Sequence, residues 1–262
     1  MAGARVPLLE LLKSRFPERT ERELYAAVLR GDVTVDGEKV MKPGVPVAPA
    51  AAIALRPARP YASRGGEKLA RALDRWEIDC RQRVFLDAGC STGGFTDCLL
   101  SRGAAIVFAV DVGPNALAWR LRTDPRVRVH ERTNVMDLRA EDLSPRPHGA
   151  VADLSFRSLR RAAAHILDLT LERWGIFLVK PQFEWKSPPG DFRGVVRNVQ
   201  DIRAIVRELL EGLEEEGVYA ARAAASPLKG RKGNRELLVL LRREGLTAAE
   251  REQLDLDSLL GE

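Results

Sequence analysis

Between Val84 and Lys180 five short apolar runs, Val84–Asp87, Ile106–Asp111, Val127–His130, Ala150–Asp153 and Ile176–Lys180, alternate with segments that read as helices. Adjacent parallel strands need a crossover of a dozen or more residues, so this spacing predicts an α/β domain with a mostly parallel sheet. The chain then changes pattern. After the helix-like Val199–Glu216, the runs Val218–Ala225 and Glu236–Leu241 flank a basic loop, Lys229–Arg235, and read as a closing antiparallel pair.

The first 55 residues read differently. Val6–Phe16 and Glu21–Leu29 are expected helices, interrupted by Arg30-Gly31-Asp32. In Val33–Val40 the Asp36-Gly37 pair suits the two positive φ values of a type I′ turn, which predicts a hairpin. Proline-rich residues 56–62 read as a linker, and the segment after Glu244 as an acidic tail. A chain of 262 residues accommodates one large domain or one medium domain plus a small one, and the change of pattern near the linker favours the second.

Composition removes several function classes. The longest stretch without a charge, Pro43–Leu55, is thirteen residues with three prolines, well short of the ~20 apolar residues of a membrane-spanning helix. Glu10 interrupts the apolar N-terminal run and no small-residue cleavage site follows, so no secretory signal is read and a cytoplasmic location is expected. Cys80, Cys90, Cys98 and the histidines His130, His148 and His165 are scattered without metal-ligand or disulfide spacing, and no metal is assigned. The net charge of +5 is compatible with an acidic partner such as nucleic acid without requiring one.

The sharpest local pattern is Val84-Phe85-Leu86-Asp87-Ala88-Gly89-Cys90-Ser91-Thr92-Gly93-Gly94-Phe95-Thr96, with glycines between a strand and a helix. Small residues there let a ligand approach the backbone. The spacing is neither that of a dinucleotide fingerprint nor that of a P-loop, which disfavours a dehydrogenase and favours a nucleoside without pyrophosphate. Asp111 ends the next strand twenty-four residues after Asp87, where a carboxylate accepts from ribose hydroxyls. This pattern suits S-adenosylmethionine. The alternative is a tight βα turn with solvated strand-end aspartates. Asn134 and Asp137 follow the third strand and are either adenine contacts or loop caps. Cys90 reads as a small filler, not a nucleophile.

Asp153 and Lys180 close the fourth and fifth strands and so project from the carboxyl edge, where open α/β sheets bind ligands. A lysine at that position either caps the strand in solvent or works chemically. Lys68 and Glu236, taken alone, read as ordinary surface charges.

Resemblance joins these residues. The chain resembles the TlyA group of hemolysin-like RNA methyltransferases through Ser63-Arg64-Gly65-Gly66, the Leu86–Thr96 segment, Ala109-Val110-Asp111-Val112-Gly113, Glu131-Arg132-Thr133-Asn134, Asp153-Leu154-Ser155-Phe156, Val179–Glu184, Gly194-Val195-Val196-Arg197 and Gly230–Glu236. The resemblance implies an S4-like RNA-binding domain of α+β type over residues 1–55 and a linker over 56–62. A Rossmann-like class I, FtsJ-like methyltransferase domain over 63–244 and an acidic tail over 245–262 complete the expected order. The N-terminal match departs from the family in Arg5-Val6-Pro7, where an Arg-Leu-Asp opening is usual, and in the less basic Thr20-Glu21-Arg22-Glu23.

The same resemblance implies ribose 2′-O-methylation by a Lys-Asp-Lys-Glu tetrad, here Lys68, Asp153, Lys180 and Glu236. It implies S-adenosylmethionine bound by Asp87, Gly89, Ser91, Gly93, Gly94, Phe95, Asp111, Val112 and Asn134. A ribose hydroxyl is a very weak acid, so methyl transfer needs a base, and the expected one is Lys180 with Lys68 as its neighbouring cation. Between Arg222 and Arg243 there are seven basic residues and one acidic residue, which makes Lys229, Arg231, Lys232 and Arg235, together with Arg64, candidate phosphate contacts. The expected substrate is cytidine ribose in ribosomal RNA or ribosomal subunits, without stable membrane association. Competing readings are a membrane-active hemolysin and a non-catalytic RNA-binding ribosome assembly factor.

Overall fold

The computed structural model describes residues 5–56, 60–155, 158–230 and 232–245, so Phe156, Arg231, residues 57–59 of the expected linker and residues 246–262 of the expected tail lie outside the described residues. The chain divides into two compact units, Met1–Arg59 and Pro60–Glu262.

In the first unit β1 (Val6–Pro7) precedes α1 (Leu8–Arg15), followed by α2 (Glu21–Arg30), β2 (Val33–Val35), β3 (Glu38–Val40), β4 (Pro46–Val47) and β5 (Ile53–Leu55). Val6 and Pro7 are not helical, contrary to the expected helix from Val6. A residue before proline is pushed to extended backbone, and Val6 pairs with Val47 across an antiparallel bridge. Helix α2 starts at a capping box between Thr20 and Glu23 and stops at Gly31 with φ 69°. The β2–β3 hairpin turns on Asp36 and Gly37 at φ 52° and 85°, the two positive values its sequence predicts. β5 adds to the other edge of β2. Leu8, Leu12, Leu24, Val28 and Val33 form the buried centre.

The second unit runs α3 (Arg64–Arg75), β6 (Val84–Ala88), α4 (Gly94–Ser101), β7 (Ile106–Asp111), α5 (Trp119–Arg122), β8 (Val127–Glu131), β9 (Gly149–Ala152), α6 (Ala162–Asp168), β10 (Trp174–Val179), α7 (Pro181–Glu184), α8 (Val199–Glu215), β11 (Tyr219–Ala225) and β12 (Leu237–Arg242). Its sheet has the order β11-β12-β10-β9-β6-β7-β8. Five strands are parallel, and β12 enters antiparallel between β10 and β11. Successive strand residues face opposite ways, so Leu86 joins Ile166, Ile202 and Val206 on one face while Phe85 joins Leu69, Leu73 and Leu99 on the other. Tyr61 and Ala62, expected in the linker, pack with this second core.

The register fixes what meets at the carboxyl edge. Phe177 of β10 pairs with Ala152 of β9, Ala152 pairs with Ala88 of β6, and Val179 pairs with Leu237 of β12. Asp153 and Lys180 therefore lie one residue beyond their strands and Glu236 one residue before its own. No helix among the described residues is long and apolar enough to cross a membrane.

Candidate active site

Two ion pairs sit at this edge. Continuing the β10–β12 register by one step sets Glu236 opposite Lys180. Glu236 is 5% exposed and takes Lys68, 7% exposed, into a buried pair. Lys68 comes from the first turns of α3, whose N-terminus is capped by Ser63 accepting from the Gly65 amide. The absence of a side chain at Gly230 leaves room for the Glu236 carboxylate, since a Cβ there would lie 2.5 Å from Oε1.

Nζ of Lys180 lies 2.5 Å from Oδ1 of Asp153, an ion contact outside hydrogen-bond alignment. It donates to the Leu154 carbonyl and to Ser155 Oγ, both at 3.1 Å. The Phe183 ring stands 5.7 Å from the same ammonium. Below it, Glu184 is buried and accepts from the Leu159 amide at 3.0 Å, which ties α7 to the segment after β9; burial pushes its carboxyl up.

Beside the two pairs lies a cradle. Gly89 and Gly93 adopt φ 80° and 89°, where an L side chain is strained. A Cβ on Gly89 would sit 2.7 Å from the Asp153 carbonyl, so the glycine lets the cradle run directly beside the tetrad edge. Asp87 is wholly buried; its Oδ2 accepts from Thr96 N at 2.9 Å and Thr96 Oγ1 at 2.6 Å, and its Oδ1 has no partner among the described residues. Burial pushes the Asp87 carboxyl up to about 7, against the Thr96 hydrogen bonds. Asp111 accepts from Ser91 N at 2.8 Å and Gly113 N at 2.7 Å. Each of its oxygens keeps a lone pair for a ligand hydroxyl.

A model of the FtsJ-like methyltransferases matches residues 61–243. The chain belongs to the FtsJ-like methyltransferase family. It is 40% identical over 227 residues to the 16S/23S rRNA (cytidine-2′-O)-methyltransferase TlyA of Mycobacterium tuberculosis, covering 86% of this chain and 85% of that one. Hemolysin A of Brachyspira hyodysenteriae is 36% identical over 214 residues, covering 80% of this chain and 89% of its own. The crystal structure of a hemolysin-named protein from Lactococcus lactis superposes with a TM-score of 0.71 at 34% identity, covering 78% of this chain and 98% of that one.

As an FtsJ-like enzyme the chain uses S-adenosylmethionine, and the cradle fits it. The two left-handed glycines open the backbone, Asp111 ends β7 with acceptor capacity left for a ligand hydroxyl, and the unpartnered Asp87 oxygen is a buried acceptor beneath the turn. Val112 is 69% exposed at the rim. Two expected contacts are narrower than the motif implies. Phe95 turns its ring into the core, which leaves only its backbone on the cradle side. Asn134 caps a short 3₁₀ turn by accepting from Met136 N at 3.2 Å, the loop-cap role its sequence position allowed. Cys90 is buried and burial pushes its thiol up, so it is an inert filler.

Several site residues carry no local sequence signal. Asp97 is buried, accepts from Ala62 N at 2.7 Å and binds Arg120 with both oxygens, tying the start of α3 to α4 and α5. Glu131 organises the segment before α5 by accepting from Asn115 N at 2.9 Å and pairing with Arg122, which holds its carboxyl near 2. The phosphate candidates Arg64, Lys229 and Lys232 are exposed, whereas Arg235 is half-buried. A cleft of about 400 Å³ lined by Trp76, Arg83, Trp174 and Arg222 lies at the opposite edge of the sheet, away from the two ion pairs.

Proposed function

We propose that the chain transfers a methyl group from S-adenosylmethionine to a ribose 2′-hydroxyl of ribosomal RNA, with cytidine as the target nucleoside. The observation that carries this reading is the pairing of Lys180 with Asp153 and of Lys68 with Glu236 at one sheet edge, immediately beside the glycine cradle. The substrate class follows the 40% identical relative, whose name specifies rRNA cytidine 2′-O-methylation.

Bound S-adenosylmethionine supplies an electrophilic methyl group whose sulfur leaves as a neutral thioether. The 2′-hydroxyl proton passes to Nζ of Lys180 in its neutral amine form, the ammonium having first given up one proton to solvent, as the oxygen takes the methyl group. Asp153, Leu154 and Ser155 fix that nitrogen in place. Lys68, held by Glu236, orients the attacking oxygen and stabilises its developing negative charge. Asp87, Gly89, Ser91, Gly93, Gly94, Asp111, Val112, Asn134 and the Phe95 backbone form the cofactor side. Arg64, Lys229, Arg231, Lys232 and Arg235 contact phosphates, residues 1–55 act as an S4-like RNA-binding unit, and residues 245–262 carry the acidic charge of the tail.

The test is transfer of labelled methyl from S-adenosylmethionine to unmodified ribosomal subunits, free ribosomal RNA and membranes, followed by digestion to nucleosides. Label in 2′-O-methylcytidine supports the reading. Label only in a base, or in no RNA although the cofactor binds, contradicts it. The hemolysin name of two relatives raises a membrane-active alternative, which leakage of liposomes by the purified protein would favour.

A further inference from the structure

We infer that the loop 193–197 is part of the RNA grip, and that Asn234 is the positioning residue that locks this loop to the one carrying Lys229, Lys232 and Glu236. The identity of the partner rests on the methyltransferase reading above.

Asn234 is 3% exposed and uses both ends of its side-chain amide on a distant segment. Its Oδ1 accepts from Val196 N at 2.9 Å and its Nδ2 donates to the Gly194 carbonyl at 2.9 Å. Its own carbonyl accepts from Gly230 N at 2.9 Å, and Gly233 N donates to Gly230 O at the same distance. Gly194 and Gly233, at φ 81° and 92°, supply the backbone shapes that bring these groups together. A buried amide bonded this fully is a cross-brace between two loops, and losing one end strands a buried polar group.

The brace gathers positive charge. Arg193, Arg197, Lys229 and Lys232 are exposed, and none of them enters an ion pair or hydrogen bond among the described residues. Nζ of Lys232 lies 3.7 Å from where a Cβ on Gly194 would stand, so the second loop's cation is laid against the first loop's backbone. The acidic residues nearby are exposed Asp191, two positions before Arg193, and Glu236, which is engaged by Lys68. Like charges collected on two braced loops repel one another unless a polyanion lies between them. Glu236 follows Asn234 by two residues, so the brace that sets the cations also sets the tetrad carboxylate. The fitting partner is the phosphate backbone flanking the target nucleotide.

The full-length chain is tested for binding to unmodified ribosomal RNA over a range of salt, with methyl-transfer kinetics alongside. Arg193→Ala/Arg197→Ala should weaken binding on the order of tenfold and lower the slope of log affinity against log salt by about 0.7 to 0.9 per lost phosphate contact. Its affinity for S-adenosylhomocysteine should be unchanged. Asn234→Asp keeps the acceptor for Val196 N but removes the donor to Gly194 O. It should reduce the salt slope as the arginine variant does and also lower kcat, whereas a merely structural role would lower the melting temperature and leave the slope alone. A wild-type slope in the arginine variant, or in Asn234→Asp when the arginine variant responds, overturns the inference. Binding that responds as expected without any methyl transfer would contradict the catalytic reading and support the grip.

Discussion

Breaking the Lys68–Glu236 pair one residue at a time and then together separates its structural from its chemical role. The two residues are 7% and 5% exposed, so each is withdrawn from water and dependent on the other. Removing one partner leaves an uncompensated buried charge, which costs about 3–5 kcal/mol. For a unit of roughly 200 residues, 1 kcal/mol shifts Tm by about 2–4 °C, so Lys68→Met or Glu236→Leu alone should lower Tm by roughly 6–20 °C. Replacing both with apolar side chains removes both buried charges, and the double variant should return to within about 1 kcal/mol of wild type. Thermal unfolding of the four proteins reads the coupling, and methyl transfer measured alongside should be lost in all three variants. A double variant whose loss equals the sum of the single losses would refute the coupling, and an active double variant would refute the chemical role.

Other expectations follow from the same geometry. Burial raises the Asp87 carboxyl from 3.8 to about 7, so the folded chain holds a proton that the unfolded chain releases between those values. That contribution to stability is full below about pH 4 and is lost as pH rises through 7. Relative to Asp87→Asn, wild type should therefore lose Tm between pH 5 and pH 8, and parallel Tm curves would contradict the assignment. Gly89→Ala forces a left-handed alanine, a cost of about 1–2 kcal/mol, and its Cβ meets the Asp153 carbonyl. Calorimetry should find S-adenosylhomocysteine binding lost in that variant. Asp97→Ala strands Ala62 N while the half-exposed Arg120 guanidinium turns to solvent, and should cost about 1–3 kcal/mol by denaturant unfolding; Arg120→Ala should cost at least as much, because it leaves the buried Asp97 carboxylate without its cation.

What the sequence made legible was local. The Asp36-Gly37 turn could be read because its chemistry lies in two adjacent residues, and both φ values are positive as expected. The parallel strands are readable from apolar runs, with ends displaced by a residue or two; Asp153 and Lys180 fall one residue outside their strands, although Asp153 N still donates to the Ala88 carbonyl at 3.0 Å. The start of α1 was missed because pairing of Val6 with Val47 over 41 residues decides it. Lys68 and Glu236 stand 168 positions apart and look like surface charges until the sheet order brings β12 beside β10, so family resemblance alone linked them. Asn234, Asp97 and Glu131 were not assigned for the same reason. Their partners are backbone groups and arginine side chains distant in the chain, and such contacts leave no residue pattern to read.

The proposed role of Lys180 is to accept the hydroxyl proton beside a cofactor cradle built independently of it. Single-turnover methyl transfer to unmodified ribosomal subunits by Lys180→Ala, with S-adenosylmethionine affinity measured on the same preparation, tests this most directly. Loss of 2′-O-methyl transfer is expected with affinity within a few fold of wild type, since no cradle residue bonds to Lys180. Transfer at the wild-type rate, or loss of cofactor binding together with activity, would contradict it.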